Sequence, residues 1–211
     1  MRKLNEFFNN AGSPKGRMGK IMVKGMNKGH TPVSKWGISH IPSKDYKSLL
    51  DIGCGGGINL KRFEKKYPSA RIYGLDASEV SVAHSRKVNQ KAVKAGRIRV
   101  YHGKAGKLPF LNNRMSLVTA FETIYFWPDL LLCFKEVYRV LEAEGVFVIV
   151  NELGDNNARA KKWTDILDNM VMHEEGELRE TLLKAGFQKI RVIRKGPWIC
   201  VVSEKGKNRS E

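Results

Sequence analysis

The stretch Leu49-Leu50-Asp51-Ile52-Gly53-Cys54-Gly55-Gly56-Gly57 constrains this chain more than any other. Leu49, Leu50 and Ile52 suit a buried strand, and the glycines after them cannot continue it. Glycine serves where backbone must turn sharply and let a ligand approach where a β-carbon would collide. A helix is expected to start near Ile58 and to stop before Pro68. In an open α/β sheet, ligands sit just beyond the carboxyl ends of the strands, where this loop would lie. The stretch therefore predicts a strand, a turn and a helix around a nucleotide-type cofactor.

Spacing narrows the cofactor. A dinucleotide fingerprint needs a third glycine where Ile58 stands, and a P-loop needs Gly-Lys-Ser/Thr where Gly57-Ile58-Asn59 stands. A second acid follows at the end of Arg71-Ile72-Tyr73-Gly74-Leu75-Asp76, 76 − 51 = 25 residues after Asp51. A carboxylate at the tip of a second strand can accept both hydroxyls of a ribose. An exposed loop acid before the next helix is the plainer alternative, and Ser78 is the expected N-cap of that helix.

The Asp-x-Gly-x-Gly-x-Gly pattern from Asp51 to Gly57, followed by Asp76, resembles motif I and the second acidic motif of the class I S-adenosylmethionine-dependent methyltransferases. The resemblance covers roughly residues 45–203. It implies an α/β fold: a Rossmann-like, open, seven-strand, mostly parallel sheet with helices on both faces, plus an N-terminal helical extension. It further implies S-adenosylmethionine as cofactor, bound by Asp51, Gly53, Cys54, Gly55, Gly57, Asp76, Ala77, Lys104, Ala105 and Phe121.

Two positions depart from the family pattern. Lys104 stands where the segment Gly-Asp-Ala-x-x-Leu-Pro-Phe has its Asp, and an ammonium can only donate hydrogen bonds. Either adenine recognition then rests on backbone near Lys104 and Ala105, or cofactor affinity is weaker. Ser116 stands where relatives often have Asp before strand four, and both departures bear on cofactor affinity more than on fold.

The rest of the chain reads in order. Met18, Ile21, Met22 and Met26 repeat at helical spacing between lysines from Pro14 to Gly29, and a short helix is expected from Thr31-Pro32 to His40. One helix is expected over Glu79–Ala95 with Val80, Ala83, Val88, Ala92 and Ala95 inward, then a strand to His102. Met115–Phe121 reads as strand four. Asp129–Leu141 reads as a helix with Leu132, Val137, Val140 and Leu141 inward. Val146–Asn151 reads as a buried central strand. Helices over Lys161–Met172 and Glu174–Ala185 precede two closing strands, Phe187–Arg194 and Trp198–Ser203. The domains expected are a basic extension over 1–44, a methyltransferase domain over 45–203 and a charged tail over 204–211.

The resemblance places the region after strand four beside the reactive methyl group. Phe121–Asp129 reads Phe-Glu-Thr-Ile-Tyr-Phe-Trp-Pro-Asp, which is more like the small-molecule branch than the Asn/Asp-Pro-Pro-Tyr text of nucleic-acid amino methyltransferases. N-terminal helices form a lid in many members. His30, Glu122 and Tyr125 are the candidates for proton handling, and Trp36, Tyr125 and Trp127 for substrate contact. Core packing is the competing use of the aromatics. No metal ligand pattern is visible, and Cys54, Cys133 and Cys200 are too scattered for a disulfide framework or a zinc site.

Composition sets the class and poses one puzzle. With 42% hydrophobic and 28% charged residues the chain reads as globular, without a membrane-length apolar run or a signal peptide, and a cytoplasmic setting is expected. Thirty-eight Lys and Arg against 21 Asp and Glu give +17, of which the first 47 residues hold ten basic and two acidic. Such a charge invites a polyanionic partner, and nucleic acid, an anionic substrate, an acidic membrane surface and simple solubility all account for it equally. The resulting order of readings is a methyltransferase acting on a small molecule first, a nucleic-acid methyltransferase or binding protein using the basic extension second, and a fold that no longer binds cofactor third. Nothing in the pattern specifies an oligomeric state.

Overall fold

Leu49 and Leu50 point to opposite faces of strand β1 (Ser48–Ile52), and both are fully buried. That alternation, buried on both sides, is what a central parallel strand requires. The computed structural model describes residues 29–152 and 170–207, together with Gly16, Gly19 and Gly25. The helix expected from Pro14 to Gly29 lies almost wholly outside the described residues, as does most of that expected over Lys161–Met172.

The remaining strands are β2 (Arg71–Asp76), β3 (Ile98–His102), β4 (Met115–Phe121), β5 (Leu141–Asn151), β6 (Phe187–Lys195) and β7 (Trp198–Lys205). They form one seven-stranded sheet in the order β3-β2-β1-β4-β5-β7-β6. The pairings from β3 through β5 are parallel, whereas β7 runs antiparallel between β5 and β6. The order reverses between β1 and β4, the position at which open α/β sheets bind ligands.

Each face of the sheet carries its own core. On one face Leu50, Ile52, Val118, Phe147 and Ile149 pack with Phe134 and Val137 of helix α5 (Leu130–Val140) and Leu178 and Leu182 of helix α6 (Glu175–Lys184). On the other, Leu49, Ile72, Leu117, Val148 and Val150 meet three more helices: α1 (Thr31–Ser39), α2 (Ile58–Lys66) and α3 (Glu79–Val88). Helix α1 closes on β5 so tightly that a Cβ at Gly37 would lie 2.4 Å from the Val150 side chain.

Four expectations need correction. The single helix over Glu79–Ala95 breaks at Asn89 into α3 and α4 (Gln90–Lys94). The Asn89 amide is turned inward, where it donates to the carbonyls of Gly57 and Ser85, both at 2.9 Å. The inward face of α3 is therefore Ser81, Val82 and Ser85, with Ala83 and Ala95 exposed. In α5 the buried stripe is Leu130, Cys133, Phe134, Val137 and Val140. Leu132 falls off that i, i+3, i+4, i+7 spacing and is 49% exposed. Finally, Glu204 and Lys205 belong to β7 rather than to a tail. Lys205 Nζ is held by Asn113 Oδ1 and the carbonyls of Tyr138 and Leu141.

Candidate active site

The glycine loop is built on left-handed backbone. Gly53, Gly55 and Gly57 have φ of 71°, 50° and 78°, angles that residues with a β-carbon seldom adopt. Gly53 and Gly57 are also confined from below. A Cβ would stand 2.1 Å from Thr123 Oγ1 at Gly53 and 2.3 Å from Ser85 Oγ at Gly57. At Gly55 a Cβ would meet only the Gly53 carbonyl oxygen, at 4.0 Å, so the middle of the loop faces an open cradle. The Cys54 thiol lies in the core against Gly74, and burial pushes its pKa well up. Cys54 thus packs the loop from within.

Asp76 organises the loop from the neighbouring strand. Its Oδ2 accepts the Gly55 amide at 2.8 Å and its Oδ1 the Ser78 amide at 2.9 Å. Each carboxylate oxygen keeps a further lone pair, so the arrangement fits a ribose diol as well as a structured loop. Burial raises the Asp76 pKa, and the backbone donors counter it. Ser78 caps α3 as expected, accepting the Ser81 amide at 3.2 Å. The exposed Ala77 offers its carbonyl to His102 Nε2 at 3.0 Å. Asp51, at the end of β1, is buried and accepts a hydrogen bond from Thr119 Oγ1 at 2.7 Å. Burial pushes its carboxyl up to about 7, and the nearby Asp76 adds to the rise.

The second half of the site lies at the ends of β4 and β5. Glu122 follows Phe121 with φ 55°, a conformation rare for a residue with a side chain. Its amide donates to the Val150 carbonyl, and its Oε1 accepts the Glu152 amide. Burial pushes the Glu122 carboxyl up to about 8, with the Glu152 charge adding to the rise. His30, just before α1, places Nδ1 3.6 Å from Glu122 Oε2 and 3.8 Å from Glu152 Oε2. Burial lowers the His30 pKa, and Glu152 opposes that shift. His30 and Glu122, singled out separately in the sequence, are thus brought together. The ligand-type atoms of His30, Glu122 and Glu152 lie within 4.8 Å of one another, so this group also has donors a divalent cation takes.

The aromatic candidates divide. Tyr125 is buried in a small cluster with Phe126, Met170 and Met172, and its carbonyl accepts the Val171 amide at 2.9 Å. Trp127 is a core residue edge-on to Phe134, which leaves it no open face for a substrate. Trp36 packs against Trp198 and His40, toward the β6–β7 hairpin. Phe121 packs on Phe63 and beneath Gly37.

The two departures from the family pattern separate in space. Lys104 is exposed beyond the end of β3, in a tight turn with Lys107, and Ala105 is buried behind it. Ser116 is at the opposite end of the sheet. Its Oγ accepts the Lys47 and Ser48 amides and donates to the Ser48 carbonyl, fastening the start of β4 to the start of β1. The expectation that Ser116 bears on cofactor affinity is therefore corrected.

Sequence reasoning missed Thr119, Ser85, Asn89 and Glu152. Glu152 had a legible signal, since it closes a buried strand as Asp51 and Asp76 do. The other three depend on register between distant segments.

Comparison with known proteins adds to this geometry. Residues 50–149 match the model of a methyltransferase domain family. The chain is 27% identical over 168 residues to a putative methyltransferase, YrhH, of Bacillus subtilis (strain 168), covering 80% of this chain and 83% of that protein. It is 34% identical over 106 residues to the demethylmenaquinone methyltransferase of Geobacillus kaustophilus, covering 48% of this chain and 44% of that enzyme. Among solved structures, phosphoethanolamine N-methyltransferase 2 of Haemonchus contortus in complex with S-adenosyl-L-methionine superposes with a TM-score of 0.79 at 15% identity, covering 95% of this chain and 60% of that one. The left-handed loop, the acid-tipped strands and the domain match over residues 50–149 together support a class I S-adenosylmethionine-dependent methyltransferase.

Proposed function

We propose that this enzyme methylates a small organic acceptor, bound where β4 and β5 end and deprotonated with the help of His30. The observation that carries the reading is the convergence of His30, Glu122 and Glu152 across the site from the Gly53–Gly57 loop. The cofactor supplies a methyl group already activated by its sulfonium. The residues therefore need only orient the acceptor, exclude water and hold a proton. Asp76 and the loop glycines would hold the ribose and the methionine half.

At neutral pH His30 is the group ready to take a proton, because burial keeps its imidazole neutral while Glu122 is held largely protonated. Glu152, the charge that favours the imidazolium, would stabilise His30 once protonated. The demethylmenaquinone relative, whose name specifies a small-molecule acceptor, supports the acceptor class.

The test is an acceptor screen with S-adenosylhomocysteine release as readout, run on the wild type and His30→Ala. A small phenol, hydroxyquinone or amine that is turned over by the wild type and not by His30→Ala supports the reading. Turnover only with RNA or DNA would replace it.

A further inference from the structure

Positive charge is distributed very unevenly along this chain. Residues 61–107 hold thirteen Lys and Arg against three Asp and Glu, whereas residues 108–211 hold fifteen of each. The fold gathers much of the excess at one place. Lys65 and Lys66 lie in the last turn of α2, Arg71 begins β2, Lys91 and Lys94 lie in α4, and Arg97 directly precedes β3. The Arg97 carbonyl accepts the Ile72 amide at 3.0 Å, so Arg71 and Arg97 head adjacent strands. All six stand at the end of the sheet opposite Asp51, Asp76 and Glu122. Arg97 is half-buried and the other five are exposed.

Little near them cancels the charge, since Asp45, which lines one cavity with Lys66, is paired with Lys47. Among the described residues, none of the six forms a salt bridge. Of the three acids in the segment, Asp76 is buried at the far end, Glu79 starts α3 at that same far end, and Glu64 is half-buried in α2. Helix C-termini attract cations, but each carries only about half a negative charge. The ends of α2, α3 and α4 thus offset roughly one or two of the six. Charges that protect an edge strand from pairing explain Arg97 at most, since the lysines are on helices.

We infer that this basic end of the sheet binds the phosphate backbone of a nucleic acid, as an anchoring surface separate from the methyl-transfer site. A bilayer fits less well. Surface-bound membrane segments pair their cations with an apolar face, and the large exposed apolar residues among those described are Leu111, Leu132, Val171 and Leu183, none of them in 61–107. Because the cations face away from the cofactor loop, nucleic acid bound there is not the methyl acceptor.

The test uses the full chain and a short, labelled, mixed-sequence single-stranded RNA, with fluorescence anisotropy over a salt series. Each phosphate contact contributes about −0.7 to the slope of log K against log salt. Reversing Lys65, Lys91 and Lys94 to Glu should therefore flatten the slope by about 2. Reversing Lys135, Lys184 and Lys207 changes net charge equally and should leave the slope nearly unaltered. S-adenosylmethionine binding by both variants, measured separately, reports that they are folded. Equal weakening by the two sets would reduce the effect to net charge and overturn the inference. So would an absence of RNA binding at low salt, or tighter lysine-dependent binding to phosphatidylserine vesicles than to RNA.

Discussion

His30 Nδ1 lies 3.6 Å from Glu122 Oε2, which joins the start of helix α1 to the end of strand β4 across 92 residues of sequence. On the proposed function, the contact makes the segment before β1 part of the active site. On this account His30→Ala lowers turnover by about 100-fold or more, the range typical of a lost proton-handling group, whereas Glu122→Gln, isosteric with the protonated carboxyl, lowers it far less. Affinity for S-adenosylmethionine should stay within about twofold, as neither side chain touches the glycine loop. A parallel loss of cofactor binding, read by calorimetry, would move both residues to the cofactor.

Two glycines with similar backbone angles should respond differently to alanine. Gly57 and Gly96 have φ of 78° and 71°. A Cβ at Gly57 would collide with Ser85 and Asn89, whereas at Gly96 it meets nothing within 4 Å. Gly96→Ala should cost about 1 kcal/mol, from the left-handed backbone alone. Gly57→Ala should cost roughly 2–4 kcal/mol and should also weaken cofactor binding. Denaturant unfolding of the two variants measures the difference.

Asp51 gives the protein without cofactor a pH dependence of defined sign. Its folded pKa, pushed up to about 7, exceeds its ordinary value of 3.8, so folding favours the protonated form. That contribution is fully present below about pH 4 and is lost as pH rises through about 7, by roughly a few kcal/mol at most. Asp51→Asn should therefore be less stable relative to wild type at pH 4 than at pH 8. Unfolding free energies that run parallel over this range would show that Asp51 ionises normally in the folded protein.

Much of the fold was legible because its strands are short apolar runs ended by acids or glycines. Asp51, Asp76 and the three loop glycines could be read as a site since each is local to one strand and its turn. Trp127 could not be separated from a substrate residue, because an aromatic beside a site and one in the core have the same spacing. The break at Asn89 was hidden for another reason: its cause is the Gly57 carbonyl, 32 residues away. Ser116 was misplaced because a family pattern gives a position in sequence and not an end of the sheet.

Ser116 and Lys104 can now be tested apart. Ser116→Ala removes the acceptor for two backbone amides and should lower stability by about 1–2 kcal/mol while leaving cofactor affinity unchanged. Thermal unfolding with and without S-adenosylhomocysteine separates the two effects. Lys104→Asp restores the family's usual acceptor at that position and should tighten cofactor binding.

The measurement that bears most directly on the account is calorimetric titration of the wild type and Asp76→Ala with S-adenosylmethionine. The account predicts micromolar binding by the wild type and at least a tenfold loss in a folded Asp76→Ala protein, whose Gly55 and Ser78 amides have lost their acceptor. Equal affinities would place the ribose away from Asp76, and no binding by the wild type would contradict the cofactor site itself.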